Sequence, residues 1–98
     1  MALIRCNKGG SGATSVAYSD TTPAILTYGA QSVTYTAPSG KTIVGIDSLT
    51  TVGGNPEGTA KTACMSVVNN GSTLVFTCTN FYTTTSQTCT VSCNVLLA

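Results

Sequence analysis

The side chains that could do chemistry here are few. They are Cys6, Cys64, Cys78, Cys89 and Cys93, the acids Asp20, Asp47 and Glu57, and the bases Arg5, Lys8, Lys41 and Lys61. Histidine is absent, which removes the usual general base, the Ser–His and Cys–His nucleophile pairs and the commonest metal ligand. Each of the three acids lies in a different segment, and a glycosidase-like carboxylate pair would need supporting donors that this chain scarcely offers. An enzyme is therefore not expected, and no residue is assigned a catalytic, cofactor-binding or metal-ligating role.

Three motifs resemble sites and are read as structure. Pro38-Ser39-Gly40-Lys41-Thr42 ends like a phosphate-binding P-loop, but Tyr35 stands where the first glycine belongs. Ile43-Val44-Gly45-Ile46 follows as a strand rather than the required helix, so a β-turn is the better account. Cys64, Cys78, Cys89 and Cys93 supply four thiols for a zinc ion, yet the short CxxC knuckle is missing. Cys89 and Cys93 on an extended strand would also lie ~13 Å apart, too far to share one ion. Asn70-Gly71-Ser72 is a glycosylation sequon and also a hairpin turn, and the turn is preferred.

The odd cysteine count fits a closed disulfide framework poorly. In a reducing compartment such thiols pack as small hydrophobes. The alternative is one or two bridges, Cys64 to Cys78 or either of these to the Cys89/Cys93 pair. Spacing does not choose the connectivity, nor whether Cys6, Cys64, Cys78, Cys89 and Cys93 are reduced or partly bridged.

The elements that must position these groups are strands. Thr62 to Asn80 holds two runs of β-formers around Asn69-Asn70-Gly71, which predicts a hairpin with a type I′ turn at Asn-Gly. Its arms carry Val67, Val68, Leu74, Val75 and Phe76, the densest apolar patch. From Gln31 to Ala37, Val33, Tyr35 and Ala37 share one face against Ser32, Thr34 and Thr36. From Gln87 to Leu97, Cys89, Val91, Cys93 and Val95 oppose Thr88, Thr90, Ser92 and Asn94, and this strand is expected beside the hairpin. Lys41 to Asp47 is nearly continuously apolar, the pattern of a strand covered on both faces, with Gly45 hinting at a bulge. Leu49 to Val52 extends it. Residues 2–6 and 13–19 read as short strands. The glycine-rich stretches 7–12 and 53–58 read as loops. Residues 59–65 fit a helical turn or the first hairpin arm, and the arm is preferred.

Strands at this spacing, with no 3.6-residue period, predict an all-β fold. The expected form is one domain over residues 1–98, an antiparallel β-sandwich or small barrel with its central hairpin at about 62–80. Leu, Ile, Val and Phe make up 21 residues, enough for a modest core and for folding rather than disorder.

Charge sets the expected company. Only 7% of residues are charged, against about 25% in ordinary soluble domains. Hydroxyls and amides carry much of the polar surface instead, with 19 Thr, 10 Ser and 6 Asn. So little charge protects weakly against self-association, so a share of the surface is expected to be buried in an assembly. The four scattered bases make no stripe for nucleic acid. No apolar run approaches the ~18 residues of a membrane span. The N-terminus Met1-Ala2-Leu3-Ile4-Arg5-Cys6 has no signal-peptide h-region, which predicts synthesis in a cytosol.

Thr88-Cys89-Thr90 resembles the repeat of insect ice-binding solenoids, but it occurs once and a solenoid needs recurrence. In size, composition and strand pattern the whole chain resembles small virion proteins of tailed bacteriophages, of the capsid decoration or tail accessory type. That resemblance implies assembly in the bacterial cytoplasm, location in the virion, repeated copies and function through contact surfaces. The expected partners are protein subunits of a larger assembly, including further copies of this chain as a homo-oligomer, with no cofactor. Two alternatives stay open. One is a receptor- or carbohydrate-binding β domain, with a glycan held by loops 53–58 or 80–87. There Tyr18, Tyr28, Tyr35, Phe81 and Tyr82 are weighed as a sugar platform against packing anchors, and packing is preferred. The other is a secreted, disulfide-stapled β module.

Overall fold

A computed structural model describes residues 14–53, 61–82 and 84–98. Its strands are β1 (Thr14–Thr21), β2 (Ala30–Thr36), β3 (Ile43–Gly53), β4 (Thr62–Asn69), β5 (Thr73–Asn80) and β6 (Cys89–Leu97). They form two three-stranded antiparallel sheets, ordered β1-β6-β3 and β2-β5-β4, consistent with a small β-sandwich. The expected strand at 2–6, Cys6, the loop at 7–12 and nearly all of the 53–58 loop lie outside the described residues.

The two central strands build the core. β5 turns Leu74, Phe76, Cys78 and Asn80 inward. β6 does the same with Cys89, Val91, Cys93, Val95 and Leu97. Strict alternation of this kind follows from the two-residue period of an extended chain with one face on the core and one on solvent. Val33, Ile43 and Ile25 complete the cluster, with Tyr18, Tyr35, Ile46 and Val67 packed against it. Tyr18 stitches the sheets together. Its ring stacks 5.7 Å from Phe76 and meets Tyr35 edge-on at 5.1 Å, geometries that suit the aromatic quadrupole.

Only β4 and β5 are joined as a hairpin; every other connection crosses from one sheet to the other. The last strand is the hairpin's neighbour across the core, not within its sheet. β6 lies in the opposite sheet, bonded to β1 and β3, and faces the hairpin across the core. The hairpin turn also differs. Asn70 N–H donates to the Thr73 carbonyl at 2.9 Å, so Gly71-Ser72 forms the tip. Within this turn only Gly71 has positive φ, at 89°. That is the pattern of a type II′ turn, which needs glycine only at its first central position. The tip is also clasped from outside. Gly71 O accepts from Ile43 N–H at 2.8 Å, and the Asn69 side chain donates to Ile43 O at 3.1 Å.

The stretch at 38–41 is a β-turn, closed by Lys41 N–H to Pro38 O at 3.0 Å with Gly40 at φ 82°, and β3 follows it directly. β3 is an edge strand rather than one covered on both faces, with Ile43 buried and Val44 and Val52 exposed. Its register shifts twice, between Ile43 and Gly45 and between Asp47 and Thr50, where Ser48 takes φ 58°. Gly45 thus marks a bulge as its place in the run suggested. The continuous apolar run reflects that irregularity: each extra residue reverses which side chains point inward.

Candidate functional site

Of the four described cysteines, Cys78, Cys89 and Cys93 are buried and Cys64 is half-buried; all four are free. Cys64 sits directly opposite Cys78 across the β4–β5 ladder. Burial pushes the Cys78 thiol up to about 12, helped by the neighbouring Cys89 and Cys64 thiols. Burial raises Cys93 as well, with Asp47 and Cys64 adding to it. A thiol held protonated away from water is a poor nucleophile and a poor metal ligand, so these side chains act as packing groups. Among the described residues no group of three or more His, Cys, Asp or Glu side chains is placed to hold a metal ion.

The exposed apolar groups tell more. At the end of the sandwich away from the hairpin tip, Leu26 is 70% exposed, Tyr28 66% and Phe81 47%. The local sequence puts them there. Leu26 to Gly29 is a turn closed by Gly29 N–H to Leu26 O at 2.7 Å. Its third residue, Tyr28, sits at φ 60°. Positive φ at that position of a type II turn belongs to glycine or asparagine, and a bulky ring there is strained. Gly29 is itself tightly placed, since a Cβ would lie 3.0 Å from the Leu26 carbonyl oxygen.

Asn80 holds this end together. It is fully buried, and its Nδ2 donates to Ile25 O at 2.8 Å and to Thr85 O at 3.0 Å. Its Oδ1 accepts from Tyr82 N–H at 2.8 Å, and its carbonyl accepts from Tyr28 N–H at 2.8 Å. One side chain therefore ties the 22–29 connection to the 81–88 loop. Around it, Ile25 pairs with Gln87 as an isolated bridge, and Lys61 N–H donates to Gln87 Oε1 at 3.2 Å. Thr22 Oγ1 accepts from Cys89 N–H at 3.1 Å. Buried amides satisfied on several sides fix loops to one geometry, because leaving any of these groups unpaired would cost its desolvation.

The five aromatic side chains weighed at the sequence level therefore separate. Tyr18 and Tyr35 are packing anchors, whereas Tyr28 and Phe81 present apolar surface to solvent and Tyr82 is half-buried. Leu26 was not singled out from sequence, and Asn80 read as part of a polar loop. The signal available for Asn80 was its place in the inward register of Leu74, Phe76 and Cys78. The P-loop-like turn at 38–42 lies with the hairpin tip at the other end of the sandwich, apart from this patch. Compared with protein-family models, with curated proteins and with solved structures, the chain matches none.

Proposed function

We propose that this chain is a non-enzymatic structural protein that binds neighbouring subunits of a larger assembly, a virion component of the decoration or tail accessory type. The observation that carries this reading is Tyr28: an exposed ring kept on strained backbone, beside exposed Leu26 and Phe81, on loops locked by a buried amide. Strain held at an exposed residue argues that the residue is used, since glycine at the same place would relieve it. A rigid apolar cap on a chain with so few charges suits packing against protein rather than steering a charged ligand.

The second reading is glycan binding at the same end, favoured by exposed Tyr28 and by exposed Thr84 and Thr85, on two segments that Asn80 ties together. Sedimentation and thermal melts separate the two. Assembly predicts association that rises with concentration and weakens in the triple variant Leu26→Ser, Tyr28→Gly, Phe81→Ser. A protein that stays monomeric and melts higher in the presence of a glycan overturns assembly. Head or tail genes flanking the coding sequence would agree with the virion reading.

A further inference from the structure

We infer that β2 is a self-pairing edge: two copies of this chain join antiparallel, β2 to β2, into one six-stranded sheet about a two-fold axis. This inference rests on the assembly reading and names its first contact.

Among the described residues four strands are edges, and three of them carry a feature that discourages further pairing. β1 has a charge on its inward face, because Asp20 lies in register with Val16 and Tyr18, which pack on the core. β3 has two register shifts, Asp47 and the left-handed Ser48. β4 has a register shift between Cys64 and Ser66 and follows directly on Lys61. β2 has none of these. Its seven residues, Ala-Gln-Ser-Val-Thr-Tyr-Thr, pair with β5 without a shift and contain no charge and no proline.

The groups on that edge with no partner among the described residues can be named. Ala37 N–H donates to Ser72 O at 2.9 Å, and the unbroken register continues this parity along the strand. Tyr35, Val33 and Gln31 therefore direct their backbone groups to β5. Ala30, Ser32, Thr34 and Thr36 direct theirs away, because successive residues of an antiparallel strand alternate sides. A second copy turned by a two-fold through Val33 sets Ala30 opposite Thr36 and Ser32 opposite Thr34. Every outward N–H and C=O then meets a partner, which an isologous contact permits. The side chains match too. Hydroxyl against hydroxyl is the pairing the sheets already use, at Ser19–Ser92 (3.0 Å), Thr21–Thr90 (2.8 Å) and Ser32–Thr77 (2.9 Å). No charge lies on β2, β4 or β5, so joining two such sheets sets no like charges face to face.

The test is the sedimentation mass of the full chain. The wild type is expected at the mass of two chains. Thr34→Pro is expected at the mass of one, since it deletes an outward N–H and leaves the β2–β5 ladder whole. A charge pair guards against misfolding of the proline variant. Ser32→Lys with Thr34→Lys, and separately Ser32→Asp with Thr34→Asp, should each be monomeric, and mixing the two should restore the dimer. A wild type that is monomeric at every concentration overturns the inference, as does a mixture that fails to dimerise. Association that survives Thr34→Pro in a folded protein but is lost in the Leu26, Tyr28, Phe81 triple variant overturns the β2 edge while leaving the assembly reading in place.

Discussion

The two sheets share one plan and differ at their rims. In each, the middle strand alternates buried and half-buried residues from end to end. The β2-β5-β4 sheet has no charged side chain in any strand, whereas the β1-β6-β3 sheet carries Asp20 and Asp47. The β1-β6-β3 sheet also bends its β3 edge with two register shifts, while the β2 edge of its partner runs straight. The comparison teaches where the constraint lies. A central strand is held on both sides, and its inward row is apolar except at Asn80, whose polar groups are all hydrogen-bonded. An edge answers to solvent on one side and is free to be blunted or left open. The individuality of this protein is therefore in its edges and loop ends.

The sharpest way to break the comparison is in the core. Phe76 is fully buried and Val75, its neighbour on the outer face, is half-buried. We expect Phe76→Ala to cost about 3–5 kcal/mol in urea unfolding, and Val75→Ala roughly 1 kcal/mol because that side chain is already part-solvated. Equal losses would mean that β5 does not alternate as described.

The two middle strands also carry asparagines of different standing. Asn80 is buried with three side-chain hydrogen bonds, while Asn94 is part-exposed and donates to Asp47 Oδ1 at 3.1 Å. Asn80→Ala should cost about 2–3 kcal/mol by removing the side-chain partners of the Thr85 carbonyl and the Tyr82 N–H. Asn94→Ala should stay within about 0.5 kcal/mol. The same Asn80 variant should loosen amide protection at Tyr28 and Tyr82, read by hydrogen exchange.

Alkali probes how the sheets meet. Tyr18 rises from 10.0 to about 12, mainly through burial and then through the nearby Asp20 carboxylate. Cys78 rises from 9.0 to about 12 through burial and its neighbouring thiols. Both groups are neutral at low pH in either state, so neither affects stability there. Between the unfolded and folded values the unfolded chain binds fewer protons, so unfolding becomes easier as pH rises. We expect these two groups to leave stability unchanged below pH 9.0 and to lower it between there and about 12. Asp20→Asn should lessen the fall above pH 10.0, the usual tyrosine value. A stability curve level through this range would contradict the packing assigned to both groups.

The smallest expected effect is at the bent edge. Ser48→Gly relieves a left-handed backbone at φ 58° and should raise stability by about 0.5–1 kcal/mol in a thermal melt, less whatever glycine costs in chain entropy. No comparable gain should exist on β2, where no residue has positive φ.

Much of this was legible before the structure. The alternation at 31–37 and 88–95, the hairpin at 62–80, the β-turn at 38–41 and the bulge at Gly45 are local signals, set by side-chain period and turn chemistry within a few residues. The faces of Val33, Tyr35 and Ala37 and of Cys89, Val91, Cys93 and Val95 could be read directly. Two details escaped. The hairpin tip moved one residue, because Asn-Gly and Gly-Ser both offer a glycine and the register of Asn69 with Leu74 decides between them. β3 looked doubly covered because a bulge changes the facing of apolar residues without changing their order.

What tertiary structure alone decided is which strands are neighbours. Four of the five connections cross between sheets, so most pairings join residues far apart in the chain. An antiparallel ladder is made of backbone groups common to every residue, and nothing in β6 itself says that β1 and β3 will flank it. The same holds for Tyr28. Its side chain and its turn are written in the sequence, but its place is held by Asn80, on a distant strand, whose carbonyl accepts the Tyr28 N–H and whose side chain bonds Ile25 O. Local pattern determined the strands and their inward faces. Burial of those faces against each other, and the satisfaction of the amides left at the ends, determined everything that a partner could touch.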